Sequence, residues 1–291
     1  MARMARMTPR RPGAKLFAYA AYAAYAASAA CGVGAIGCAG GSPLLHPARV
    51  LPTGEVRAAT GFSANVAAGG LADDLRSARN EAVTNPNVPG APGTDPTYAR
   101  GALVAAAVAP GIAPFVAARV GVGDHFEGGI GYTGRGARID MRHSWDSGPT
   151  SFSAGLGATT LFYGHSLGGD LPNVDLGDLR GYGLDVPLLV GWDSVAGIYQ
   201  AWAGVRGGWD HAAIEIVRSE PKDAGPGGPI SLAATRFYGG GLVGFAIGFR
   251  HVHVALELDV AYMHVDGAYN ATQTSVDGVA ISPASAIWWT F

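Results

Sequence analysis

The sequence predicts an all-β fold: an antiparallel, up-and-down transmembrane β-barrel of about ten strands, with twelve as the alternative count and long loops on one side. Three observations predict it. Apolar and polar residues alternate with period two in run after run, and the connections between runs alternate between long and short. The chain is also rich in glycine, with 45 of 291 residues, and only 14% charged, yet its mean hydropathy is a modest +0.19. A cytosolic enzyme usually has a more charged surface, whereas a chain with one lipid-facing and one polar face manages with fewer charges.

The clearest run is His251–Tyr262, "HVHVALELDVAY". Val252, Val254, Leu256, Leu258, Val260 and Tyr262 fall on one side; His251, His253, Ala255, Glu257, Asp259 and Ala261 fall on the other. Successive side chains of a strand point to opposite faces, while a helix would scatter both sets around its circumference. The pattern begins at Thr53–Ala67, where Val56, Phe62 and Val66 oppose Glu55, Arg57 and Asn65. In Phe115–Gly123, Val116, Val120 and Val122 oppose Arg119; in the next run, Phe126, Ile130 and Tyr132 oppose His125 and Glu127. Ile139, Met141, His143 and Trp145 then oppose Arg138, Asp140 and Arg142. Ser151–Gly164, Tyr182–Asp193, Tyr199–Trp209, Arg236–Arg250 and Val279–Phe291 supply the remaining alternating runs. Most are long enough to cross a bilayer, which takes ~9–11 tilted residues, whereas soluble strands are typically ~5–6 residues. Phe126, Tyr132, Trp145, Phe152, Phe162, Tyr182 and Trp192 lie near run ends, where rings rest at a lipid–water boundary.

The expected connections are long at 68–114, tight at 124, short at 135 and 146–150, long at 165–181, short at 193–198, long at 218–233, tight near 250 and long at 266–278. Short turns on one side and long loops on the other suit a membrane barrel, and an even strand number brings both chain ends to the short-turn side. Twelve strands result if Tyr98–Ala109 and His211–Arg218 each form one. The stretch Gly101–Ala118 is apolar, but Pro110, Gly111 and Pro114 would break a helix there. It reads as part of a loop, 68–114, that plugs or caps the barrel and leads into a strand at Phe115.

At the N-terminus, five positive charges (Arg3, Arg6, Arg10, Arg11, Lys15) precede an apolar, Ala-rich run, the pattern of an export signal over residues 1–37. A permanent anchor helix is the alternative. Ala27-Ser28-Ala29 is one cleavage site; "AIGC" and "SAAC" offer lipid attachment at Cys38, which is preferred, or at Cys31, both without the usual leucine. "CAGGSP" then opens a flexible tether, 38–52, and a Cys31–Cys38 disulfide is the third option. Without residues 1–37 the 20 bases fall to 15 against 22 acids, a net charge of −7 that argues against nucleic-acid binding. Neither lysine sits in a Walker-type phosphate loop, and no cofactor is expected.

The chain ends "SAIWWTF", and Ile287, Trp289 and Phe291 resemble the C-terminal signal read by the barrel-assembly machinery of Gram-negative outer membranes. "RVGVGDHFEGGIGYTG" similarly resembles the hairpins of small bacterial outer-membrane β-barrels. The resemblance spans roughly residues 53–291. It implies the bacterial outer membrane as location, with its lipid and the assembly machinery as partners; it implies no activity and leaves the oligomeric state open.

"GHSLGG" (164–169) spells the nucleophile elbow of the α/β-hydrolases, and His165, Ser166 and Asp170 are the candidate catalytic group. The preceding strand has a polar face, Pro172 and further glycines follow, and no HGGG-type loop precedes it, so Ser166 reads as part of an exposed loop. The lumen is the other candidate site. Arg119, Glu127, Arg138, Asp140 and Arg142 are expected to share its wall as a charge network, with Glu127 between Arg119 and Arg142. Isolated interior charges are costly, so these should be paired or hydrated. His251, His253, Glu257 and Asp259 extend the polar face. The two histidines have no evident third ligand, so no metal is expected. Inward glycines (155, 157, 240, 244, 248) leave space for water or for loop 68–114. The expected function is a structural, adhesive or small-pore role; the alternatives are a membrane-embedded serine hydrolase and a soluble periplasmic β-protein.

Overall fold

A computed structural model describes residues 40–84, 96–162, 171, 179–215, 231–270 and 272–291. Ten antiparallel strands are formed: β1 (Val56–Ala68), β2 (Gly111–Gly123), β3 (Phe126–Tyr132), β4 (Gly136–Ser147), β5 (Thr150–Phe162), β6 (Arg180–Asp193), β7 (Tyr199–Glu215), β8 (Ser231–Phe249), β9 (Val252–Tyr269) and β10 (Thr272–Thr290). Each pairs with its neighbour in the chain, and β1 pairs with β10, so the sheet closes. Arg57 stands opposite Thr290 and Ala68 opposite Val279. The Phe291 N–H donates to the Val56 carbonyl at 2.8 Å, completing the seam. Closure satisfies the strand edges, which a membrane interior cannot do.

Period-two alternation sets the two faces. On β9 the apolar set points out, with Val254, Leu256 and Leu258 exposed, while His253, Ala255 and Glu257 are buried inside. The same holds for Ile139 and Met141 on β4, Leu184, Val186 and Val190 on β6, and Val243, Phe245 and Ile247 on β8. In water such a continuous apolar belt would drive association; in lipid it is the solvated face.

The connections explain two departures from the sequence reading. β9 ends at Tyr269 and β10 begins at Thr272, with Asn270 in the left-handed region at φ 52°. Residues 266–278 are therefore a strand reversal and not a long loop. Asp266, Gln273, Ser275 and Asp277 face outward there. Beyond the apolar belt the outer face is wet, and the alternation that marks a strand fades. On the opposite rim, β2 and β3 are joined by Asp124 and His125, both left-handed at φ 45° and 63°, as a tight two-residue hairpin requires.

The second departure is helical. Within the stretch 68–114 lie α1 (Gly70–Thr84) and α2 (Pro96–Val108). Tyr98–Ala109 is therefore not an additional strand, and His211 lies within β7. Proline suits the first turn of α2, alanines favour its body, and Pro110 follows its end, so the helix fits between the prolines instead of being broken by them. Leu71, Leu75, Ala78 and Ala82 turn one face of α1 inward, whereas α2 is buried nearly all round. Gly101 lets the two approach: a Cβ there would collide with that of Ala78. Among the described residues, no helix is long and apolar enough to cross a membrane.

The helices pack with Ile214, Leu232, Met263, Val265, Tyr269 and Val276 of the wall in one apolar cluster. The carbonyl end of α2 is closed by side chains from the wall. Arg135 donates to Ala107 O (2.9 Å), Arg236 donates to the same oxygen (2.8 Å), and Asn65 donates to Val108 O. Cations at the negative end of a helix dipole, bonded to otherwise orphaned carbonyls, hold it in place.

Candidate functional site

Ten strands enclose more space than wall side chains alone fill. Besides the helices, residues 40–52 occupy it. This segment, expected as a flexible tether, lies inside the lumen with Leu44, Leu45, His46, Ala48 and Leu51 all buried. Its main chain carries most of its polar contacts. Arg206 donates to Ser42 O, and Ser63 Oγ donates to Gly41 O at 3.2 Å. Glu257 accepts from Leu44 N (2.7 Å) and Leu45 N (2.9 Å), and also from Trp202 Nε1 (3.0 Å). Leu45 is left-handed at φ 48°, so two successive N–H groups converge on one carboxylate. Arg142 donates to Pro47 O, Ala48 O (3.4 Å) and Arg49 O (3.3 Å), and Glu127 accepts from Leu51 N at 2.8 Å. At the short-turn rim, the Arg49 side chain reaches Asp193 (2.6 Å) and Gly148 O (2.6 Å). Glycine, serine and proline read as flexible in the sequence because partners that bind only the main chain leave no side-chain pattern.

The wall charges also bind one another. Glu127, 0% exposed, takes both Arg119 and Arg142, the latter at 2.9 and 3.1 Å. Arg119 continues to Asp140, and Asp140 to Arg138. Arg138 grips Asp185 with two parallel bonds of 2.9 and 3.0 Å, and Arg206 reaches the same carboxylate at 2.9 Å. A Cβ at Gly157 would strike both Arg138 and Asp185, so the bare strand there is what lets this pair cross β5. Buried charges of this kind persist only when paired and hydrogen-bonded. Arg57 lies over the Trp288 ring, 4.7 Å from its centroid, and Arg236 pairs with Asp210.

All five residues expected in the charge network are thus brought together, with Glu127 between its two arginines. Arg57, Asp185, Arg206, Asp210 and Arg236 belong to the same lumen surface. Their position opposite apolar residues in each run was the signal for them. Glu257, Asp259 and His253 face inward, His253 with its Nε2 2.8 Å from Gly197 O. His251 does not: it sits exposed in the turn between β8 and β9, one residue before alternation begins. Neighbouring residues crowd the space beside the inward glycines. Trp202 lies over Gly244, His253 over Gly248, and Arg142 and Pro187 over Gly155. A cavity of about 50 Å³ remains below α2, lined by Ser42, Arg206, Arg236, Tyr238, Asp259 and Ser282. Ser42 Oγ and Asp259 Oδ1 have no protein partner among the described residues, and the space suits a few water molecules.

The candidate catalytic residues His165, Ser166 and Asp170 lie outside the described residues, as do Cys31 and Cys38. Ile287, Trp289 and Phe291 face outward at the short-turn end of β10. Among the described residues, no group of three His, Cys, Asp or Glu side chains is placed to hold a metal. Beyond the apolar belt on the opposite side, His264 contacts Asp277 (2.6 Å) and Asp266 (3.0 Å). The bond to Asp277 raises the imidazole above its ordinary range and lowers the carboxyl.

No protein-family model and no curated protein matches the chain. Similar solved structures include Neisserial surface protein A, with 12% identity, 81% of this chain and 96% of that one covered, and a TM-score of 0.31. The attachment invasion locus protein Ail of Yersinia pestis has 7% identity, 82% and 100% coverage, and a TM-score of 0.31. A major outer membrane protein from Thermus thermophilus has 15% identity, 54% and 92% coverage, and a TM-score of 0.30. These likenesses are weak. The ten-strand register, the exposed apolar belt and the polar lumen stand without them, and together they give the fold of a bacterial outer-membrane β-barrel.

Proposed function

We propose that this outer-membrane barrel is a small pore held closed at rest by its own segment Gly40–Pro52. One observation carries the reading: wall charges that face the lumen bind the main chain of a separate segment, and do not only neutralise one another. Arg206, Glu257, Arg142 and Glu127 each contact it. Filling attached in this way can leave without dismantling the strand ladder. A barrel with a purely structural or adhesive role gains nothing from that arrangement, since wall side chains with apolar tips would fill it more stably.

The test is ionic conductance of the purified full-length protein in planar bilayers. Wild-type protein should be silent. Leu45→Pro should show discrete, intermittent steps, because proline can adopt neither the left-handed φ of 48° nor the N–H bond to Glu257. A steadily open wild-type channel contradicts closure at rest. A silent Leu45→Pro protein that still shows heat-modifiable gel mobility contradicts the pore.

A further inference from the structure

The charges of the lumen are not evenly distributed around the wall. Strands β5 and β10, half a turn apart in the closed order, place no charged side chain inside between the rims. They divide the described wall into two arcs. The arc β1–β4 carries Arg57, Arg119, Arg138 and Arg142 against Glu127 and Asp140. The arc β6–β9 carries Arg206 and Arg236 against Asp185, Asp210, Glu257 and Asp259. One side of the lumen is rich in donors with positive charge, and the other in acceptors with negative charge.

A peptide main chain has matching chemistry, carrying a donor and an acceptor at almost every residue. Residues 40–52 use it accordingly: three carbonyls in succession (Pro47, Ala48, Arg49) turn to Arg142 on the positive arc, and two N–H groups in succession (Leu44, Leu45) turn to Glu257 on the negative arc. Ser42 O and Leu51 N take the minority charge of each arc, Arg206 and Glu127. Within the lumen these bonds do not read side chains; the Arg49 side chain is fixed only at the rim. Between the bonds, Leu44, Leu45 and Ala48 rest in an apolar cluster with Leu189, Trp202, Leu242 and Trp288.

We propose that the lumen is a binding channel for a peptide main chain, in which Gly40–Pro52 sits as resident occupant, and that peptides with other side chains can take its place when it leaves. This rests on the closed-pore reading above and adds a class of ligand to it. The field between the arcs orients the chain, and the bonds to backbone groups make recognition tolerant of sequence. Proline is restricted at the positions whose N–H is bound, the equivalents of Leu44, Leu45 and Leu51.

The experiment is current block of full-length Leu45→Pro channels by synthetic peptides with capped ends. A peptide of residues 40–52 should close the channel in a dose-dependent way. A peptide that keeps the three prolines, the two N-terminal glycines and the residues at the Leu44, Leu45 and Ala48 positions but is scrambled elsewhere should block within about threefold of it, as main-chain bonding requires. The same peptide N-methylated at the Leu44 and Leu45 positions should be weaker by about tenfold or more, having lost two bonds to a carboxylate. If Leu45→Pro does not assemble, Leu44→Pro takes its place, since it removes the other N–H bond to Glu257 from the segment and leaves the wall intact. Open channels that no peptide blocks would overturn the peptide channel while leaving the pore intact. Block by the native sequence alone would also overturn it, by showing that side chains are read. Silence of whichever variant assembles overturns the pore and the channel with it.

Discussion

Leu256→Arg is expected to cost about 2–4 kcal/mol of barrel stability in a bilayer, the range for a cation on the lipid face near the midplane. Leu256 is 57% exposed and lies in the middle of the outward run from Val252 to Tyr262. The sign of this result separates the membrane barrel from a soluble periplasmic protein. In water, arginine for an exposed leucine falls within about 0.5 kcal/mol and improves solubility. In lipid, the same change removes an apolar contact and buries a charge. The measurement is folding into vesicles, followed by the shift in mobility between unboiled and boiled samples. A variant that assembles as well as wild-type protein contradicts the lipid-facing assignment of β9. His253, on the opposite face of the same strand and buried, should tolerate polar replacement far better.

Glu127→Ala is expected to be the most damaging change in the lumen, with a loss of about 3–5 kcal/mol, typical of breaking a buried ion pair from one side. Glu127 has no exposed surface and holds Arg119, Arg142 and the Leu51 N–H at once. Its removal leaves Arg57, Arg119 and Arg142 close together with Asp140 as the remaining carboxylate of that arc. Glu127→Gln keeps the volume and one acceptor and should lose less. Thermal unfolding in detergent, read as the loss of heat-modifiable mobility, ranks the two. Equal stability of Glu127→Ala and wild-type protein would show that the arginines have other partners and that the network is not built around this residue.

The wall of the barrel was legible because its physics is local. Alternation on β9, β6 and β4 records which side each residue faces, so the strand faces and the placement of Glu127 between Arg119 and Arg142 could be read directly. Legibility ended where that rule stops acting. On Thr272–Asp277 the outer face is wet, no apolar set is needed, and a strand looks like a loop. Pro110 and Pro114 resembled breaks inside one apolar stretch, although Pro110 lies between α2 and β2 and Pro114 sits within β2 opposite Phe62. The segment 40–52 was least legible of all. Its partners hold peptide groups, which every sequence has, so nothing in "GGSPLLHPARVLP" distinguishes a bound strap from a tether except the abundance of charges waiting on the wall.

The proposed closed pore requires residues 40–52 to fill the lumen, and a cross-link inside it reports on that placement without relying on activity. A Cβ at Gly191 would lie 2.8 Å from that of Ala48, so cysteines at both positions need to separate by only about 1 Å to reach disulfide geometry. The full-length Ala48→Cys/Gly191→Cys protein, assembled in membranes and oxidised mildly, should yield the 48–191 disulfide as the dominant product in mass-spectrometric mapping. If both thiols remain free in protein that is fully heat-modifiable, the segment lies elsewhere and the barrel is not closed by it.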